Sequence, residues 1–414
     1  MIYNRKSLVL LTVILLLILP LMGCSSDEEV VSGDLFSMEW SEIESASEGT
    51  QVNFYMWGGD ERINNWIDTF AASNLKKDYG IELNRVPMGP NDYLNQLLGE
   101  KQVGLEEGSI DLLWINGENF QVAKESGLLF GPFVDIVPNY EAYMDTESLE
   151  IITDFGYPTE GYELPYGKAQ FTFTYDQART EDPPYTFDEL IQWIKDNPGK
   201  FTYPDPVSNF TGSVFVRHII YEMTGGYEAY HQIEDEEEIR EMIRPAMELL
   251  RDLKPYLWRE GQTYPATTAQ LNNMFVDGEL MATMAYSSIL TSGEIASGNF
   301  PETARTFVLE NGTIANTHFL AIPFNSPNKA GALVAANFLA GFEAQVSKFD
   351  PQIWGDMPIF SYEKLSDEEK AIVDSIDTGI ATLSQETLDS HSVPEMPARF
   401  VPIIEEEWDR IVNR

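Results

Sequence analysis

The sequence predicts an α/β fold of two lobes, each a mainly parallel sheet flanked by helices. Three observations lead there. Short apolar runs of β-type alternation take turns with stretches whose apolar residues recur every three to four positions. A β-rich segment from Tyr162 to Tyr175 interrupts that alternation and reads as the crossing from one lobe to the other. The chain has 414 residues, 43% of them hydrophobic and 12% aromatic, which supplies ample core for two or three domains.

The elements follow in order. Val52 to Trp57 alternates as a strand and ends in Gly58-Gly59-Asp60. Ile63, Trp66, Ile67 and Phe70 mark an amphipathic helix, closed by Gly80. Ile81 to Val86 is a second strand, and Asn91 caps a helix through Tyr93, Leu94, Leu97 and Leu98. Ile110 to Ile115 is a third strand, followed by Asn116-Gly117-Glu118-Asn119 and a helix from Phe120 to about Ser126. This repetition implies a parallel sheet. Ligands of such sheets lie beyond the carboxyl ends of the strands.

Beyond the crossing, Phe187 to Asp196 reads as a helix, Phe201 to Pro204 as a short strand and Val214 to Met223 as a helix. An acidic helix over 234–253 follows, then a helix from Leu271 to Asp277 and a strand from Leu280 to Tyr286. Residues 306–324 alternate around Asn311-Gly312, a hairpin signal. The Ala-rich run 330–344 is a helix, and the polar tail from 362 is helical with breaks at Pro394 and Pro397.

The amino terminus fixes the compartment. Arg5 and Lys6 precede an apolar run from Leu8 to Leu19, then Leu21-Met22-Gly23-Cys24 and polar Ser25-Ser26-Asp27. This is a signal-peptide layout. The four residues resemble a bacterial lipobox, cut before a cysteine that is then lipidated. An uncleaved anchor is the other reading, but the run is shorter than the roughly 20 apolar residues a span needs. Cys24 is the one cysteine in the chain, so no disulfide is expected. The expected organisation is a signal peptide at 1–23, lipidated Cys24 with an acidic tether to residue 49, a first lobe from 50–164 plus about 290–345, a second lobe from 165–289, and a helical segment at 346–414 packing across the lobes. The expected location is extracytoplasmic, anchored by lipid to the cell membrane.

Charge narrows the partners. With 67 acidic and 26 basic residues the net charge is −41. Such a chain is not expected to bind nucleic acid. The acidity fits either an external habitat or the steering of a cation.

Catalytic motifs are not found. The histidines at 218, 231, 318 and 391 form no H-E-x-x-H pattern, and there is no G-x-S-x-G elbow. Gly161 to Lys168 departs from a phosphate loop by one residue too many, with Ala169 in place of Ser or Thr. No catalytic residue, metal site or cofactor is expected, and no enzyme. Carboxylate pairs abound, so a membrane-anchored extracellular hydrolase stays as an alternative. What remains is a set of strand-end loops rich in aromatics, amides and glycines: Trp57, Gly58 and Gly59 on the first strand, Trp114 and Asn116 on the third. Aromatic faces stack on flat rings or sugars and attract cations. Amides orient a ligand, and glycines let it approach the backbone.

These residues carry a resemblance. The lipoprotein signal, the parallel first lobe, the crossing near 165, the segment Met274 to Ala282 and the return segment Asn316 to Pro323 resemble solute-binding proteins of ABC importers. Trp57-Gly58-Gly59, Asp111 to Phe120, Pro165 to Gln170 and Asn209 to Ser213 resemble the YnjB-type subfamily, over nearly all of residues 50–410. The resemblance implies a two-lobed periplasmic-binding-protein-like fold of type II, with a ligand cleft between lobes that close on a hinge. It implies capture of a small-molecule solute and delivery to ABC permease and ATPase subunits, by a monomer. The ligand it suggests is thiamine or a related cationic, aromatic compound. Trp57 and Trp114 would stack on its rings, Asp60 or Glu118 would neutralise its charge, and Asn116, Asn119 and Gln170 would bond to its nitrogens. Tyr166, Phe210, Ser213 and Tyr286 complete the expected ligand set. A sugar or oligosaccharide would use much the same residue types.

Overall fold

The computed structural model describes residues 35–230, 233 and 235–414. Cys24 and the signal segment lie outside the described residues. The chain divides into two units, residues 1–37 and 38–414. In the first, Leu35–Ser37 is a 3-10 turn. The second holds the α/β fold. Among the described residues no helix is long and apolar enough to cross a membrane.

Strand β1 (Gln51–Met56) buries Val52, Phe54 and Met56 on one face and runs parallel to β2 (Glu82–Pro87) and β3 (Leu112–Ile115). Asp60 caps the helix between β1 and β2 by accepting from the Arg62 and Ile63 N–H groups at 2.8 and 3.3 Å. That helix passes through a π-type turn at Ile67–Ala71 and stops at Gly80, whose φ of +70° suits glycine. The next helix, Pro90–Gln102, begins one residue before Asn91, because proline at its first position is pre-set for helix. Buried Asp111 holds the start of β3 by accepting from the Asn53 N–H at 2.8 Å and the Ser326 hydroxyl at 3.0 Å.

A small hairpin, β4 (Thr153–Asp154) and β5 (Tyr157–Pro158), precedes the crossing strand β6 (Glu163–Asp176). The first half of β6 pairs with β9 (Thr313–Ala321), and its second half with β7 (Ala282–Tyr286) and β8 (Ala304–Phe307). The main path of the sheet is β2-β1-β3-β9-β6-β7. The register slips between Pro165 and Gly167, where proline has no N–H to give the ladder.

Several expectations are corrected here. Among the described residues, parallel pairing is confined to β1 with β2 and β3, and to β10 (Ser392–Pro394) with β9; every other strand pairing is antiparallel, and the longest of these joins β6 and β9. Asn311-Gly312 makes a turn but no hairpin: β8 and β9 both lie along β6. Phe201 to Pro204 joins no strand; Phe201 and Tyr203 are buried in the core instead. The Ala-rich helix is two helices, Lys329–Ala340 and Phe342–Phe349, broken at extended Gly341. The tail contains the strand β10 as well as helices.

Two hydrophobic clusters stand out. One gathers Tyr93, Leu97, Leu113 and Phe120 beside β3. The larger gathers Phe171, Phe215, Ile243 and Met247 with Phe400, Ile404 and Trp408 from the tail. Trp408 is fully buried and its indole donates to the Tyr203 hydroxyl at 3.0 Å. Each large apolar side chain so buried contributes roughly 1.5–3 kcal/mol.

Candidate functional site

The carboxyl end of β3 leads into Gly117, whose positive φ of +58° favours glycine. Its N–H donates to Asp154 at 2.5 Å. Its Cβ position lies 3.2 Å from the ring of Phe155, so a side chain there would press on that ring. Asp154 is 1% exposed and its second oxygen has no partner. Burial pushes its carboxyl well above the usual range.

Helix Phe210–Thr224 faces this loop. Asn209 caps it through the Gly212 N–H at 3.2 Å, and Gly212 packs against the Pro204 carbonyl with no room for a side chain. Ser213 accepts from Arg217 at 2.6 Å and donates to Glu405 at 2.9 Å. Arg217 is fully buried and paired with buried Glu395. Burial raises the Glu395 carboxyl, while Arg217 opposes that rise. Glu118 is likewise raised by burial and lowered by Arg217. Glu405 is pushed up to about 7, chiefly by burial. Glu118, Glu395 and Glu405 thus answer one guanidinium.

Aromatic rings frame the group. Phe210 is 50% exposed, 5.2 Å from the Tyr286 ring and 6.4 Å from Phe155. The Arg217 guanidinium lies 5.4 Å from the Phe210 ring and 5.8 Å from Phe155. The Tyr286 hydroxyl is buried without a partner, and burial, then Glu395, raises its pKa well above the ordinary value.

The residues anticipated from sequence divide. Phe210, Ser213, Tyr286 and Glu118 come together in this cluster. Asn119 is half-buried beside Glu118 on the helix Glu118–Glu125. Trp57 is 54% exposed, and its ring lies over Gly59, which has no side chain to obstruct it. Gly58 packs on Pro87, 2.7 Å from its Cβ position, and its carbonyl accepts from Asn64 at 2.9 Å. Asp60 is occupied as a helix cap and a partner of Arg62. Trp114 donates to Asn116 at 3.0 Å, and Asn116 donates to the Thr317 carbonyl at 3.1 Å, so this pair ties β3 to β9. Tyr166 is fully buried 5.4 Å from the Trp114 ring, and its carbonyl accepts from Gln345 and Lys348. Gln170 is buried and bonds to Thr313 and to the Leu388 and His391 carbonyls.

Asp154, Phe155, Arg217, Glu395 and Glu405 were not anticipated. One signal existed for Arg217: a lone charge inside the apolar run Val214 to Ile220, on a helix buried around nearly its whole circumference. A second buried charge cluster sits near Trp114. Lys348 lies 2.6 Å from Asp356, which lies 3.2 Å from His318. Burial alone would raise the Asp356 carboxyl, but Lys348 and His318 hold it below its ordinary value.

Residues 66–371 match the family described as bacterial extracellular solute-binding protein. The chain is 34% identical to Protein YnjB of Escherichia coli (strain K12) over 379 residues, covering 89% of this chain and 93% of that one. Its fold is similar to an ABC transporter structure from Clostridium perfringens (TM-score 0.59, 20% identity, 87% of this chain and 100% of that one). It is similar as well to a periplasmic thiamin binding protein (TM-score 0.59, 16% identity, 88% and 96%) and to apo ferric ion-binding protein A from Pasteurella haemolytica (0.60, 16%, 87% and 97%). These likenesses show the type II periplasmic-binding-protein fold.

Proposed function

Because the chain belongs to the family of bacterial extracellular solute-binding proteins, we propose that it captures a small cationic solute with a flat ring, thiamine or a related compound, and delivers it to the permease of an ABC importer. One observation carries the ligand class. The carboxyl groups of Glu118, Glu395 and Glu405 lie around a single guanidinium beside Phe210 and Tyr286, with buried Asp154 interacting electrostatically with Glu395. A cation entering there gains both the carboxylates and the ring faces, the latter worth roughly 0.5–2 kcal/mol.

In this reading one lobe is built on the cluster around Leu113 and Phe120, and the other on the cluster around Phe171 and Phe215. The solute stabilises the closed arrangement through contacts to both lobes. Lipid on Cys24 tethers the monomer to the outer face of the membrane. A sugar or oligosaccharide is the second reading, favoured by the half-exposed Trp57 and Phe210 rings.

Thermal unfolding of the chain from residue 24, carrying Cys24→Ser, tests this against thiamine, its phosphates, polyamines and oligosaccharides. Ligand at 100 times its dissociation constant adds about 2.7 kcal/mol of stability. A shift with thiamine compounds supports the reading. A shift with sugars alone overturns the cation. No shift with any compound removes support from both, and incubation of polysaccharide with the protein then tests hydrolysis.

A further inference from the structure

The hairpin β4–β5 turns through Phe155 and Gly156, with φ of +46° and +71°. Two-residue turns with both central residues at positive φ favour Asn or Asp followed by Gly. Phenylalanine at the first position is conformationally unfavourable, so its ring must gain elsewhere. It is 6% exposed and packs with Ala398 and Val401, against Gly117, and over the Arg217 guanidinium. The Phe155 carbonyl also accepts from the Ala398 N–H at 3.3 Å.

The ring's surroundings are poorly matched to it. Arg217 Nε, the Tyr286 hydroxyl and Asp154 Oδ1 are all buried and without a hydrogen-bond partner. The Arg217 guanidinium faces the ring, Asp154 adjoins it in sequence, and Tyr286 interacts electrostatically with both of those groups. Buried polar groups left unpaired are costly. An apolar ring satisfies none of them, whereas a flat group carrying N–H donors and an acceptor would.

We propose that Phe155 fills a ligand subsite, and that an uncharged flat ring of the solute, bearing an amino group and a ring nitrogen, takes its place between Gly117, Phe210 and Arg217. This rests on the cationic-solute reading above and assigns that solute a position. The hairpin swings aside as the ligand binds, its Gly156 supplying the backbone freedom. The apparent affinity is therefore lowered by the fraction of molecules in which Phe155 holds the subsite.

The test is calorimetric titration of 4-aminopyrimidine, a small planar ring with N–H donors and acceptor nitrogens, and of thiamine into the wild type, Phe155→Asn and Phe155→Leu. Asparagine suits the turn and empties the subsite. Phe155→Asn is expected to bind 4-aminopyrimidine about tenfold or more tighter than wild type, because no internal ring competes. If that variant binds it no tighter, the proposal is overturned. Should Phe155→Asn fail to unfold cooperatively, Phe155→Leu carries the test: a several-fold gain supports the proposal and an unchanged affinity overturns it. The thiamine arm separates the two ideas. Thiamine binding to wild type that is unchanged in either variant sinks the subsite alone. Tight 4-aminopyrimidine binding by the variants, with no thiamine binding by any form, sinks the thiamine assignment alone.

Discussion

Ser213 donates to Glu405 across 2.9 Å, joining the helix Phe210–Thr224 to the tail helix Val401–Trp408 some 190 residues later in the chain. The same hydroxyl accepts from Arg217 at 2.6 Å, so one small side chain relays a buried guanidinium to a carboxyl that burial has pushed up to about 7. The protonation of Glu405 therefore changes near neutral pH, inside the candidate site.

Affinity for a cationic ligand should rise as pH is raised from 6 to 8. The raised carboxyl is neutral below about 7 and charged above it, and the charged form attracts the cation. Titration of thiamine at several pH values should show the rise in wild type and a flatter profile in Glu405→Gln. The effect on folding has the opposite sign. Between the ordinary value of 4.5 and about 7 the folded state holds the proton more tightly, so this group's contribution to stability falls as pH climbs through that window.

Arg217→Met should cost about 3–5 kcal/mol, because it leaves Glu395 buried without its partner. The double variant Arg217→Met, Glu395→Gln should recover much of that loss. Urea unfolding of wild type, Arg217→Met, Glu395→Gln and the double variant measures both; additive losses in the double variant would contradict the pairing.

His218 is buried, neither ring nitrogen makes a hydrogen bond although Nε2 lies 3.8 Å from Glu222, and burial lowers its pKa to about 4. The unfolded chain takes up this proton near 6.5 while the folded chain resists until about 4. Stability should therefore fall as pH drops from 6.5 toward 4, by roughly 3 kcal/mol for this group. Thermal unfolding of His218→Leu across that window should show a shallower decline than wild type.

Gly167→Ala should destabilise by about 1–3 kcal/mol. A methyl there would run into Asp356, His318 and Lys348, the buried charge cluster that fastens the helix Phe342–Phe349 to β6 and β9. A variant as stable as wild type in urea would show that the cluster yields easily.

Phe210→Ala should weaken cation binding about three- to thirtyfold, since the half-exposed ring lies beside Tyr286 and over Arg217. Trp57→Ala, in the neighbouring strand-end loop, should have a smaller effect. Equal effects in calorimetry would show that the ligand spans both loops.

The local elements were legible from residues close together in the chain. The alternation in β1, the spacing of Ile63, Trp66 and Phe70, and the stop at Gly80 each arise within one turn or strand, where side-chain periodicity and backbone freedom act directly. Phe210 and Ser213 were likewise legible, as part of a stretch that resembles a family. Pairing was not. Asn311-Gly312 promises a hairpin locally, yet the long strand β6 offers both halves of the return strand a better ladder. Nor was the charged site legible. Asp154, Arg217, Glu395 and Glu405 are scattered over 250 residues, and in a chain with 67 acids no single carboxyl is conspicuous. Only the tertiary structure removes these four groups from water together. Burial turns ordinary side chains into a coupled set with shifted protonation, since the cost of desolvating a charge depends on its surroundings rather than on its neighbours in sequence.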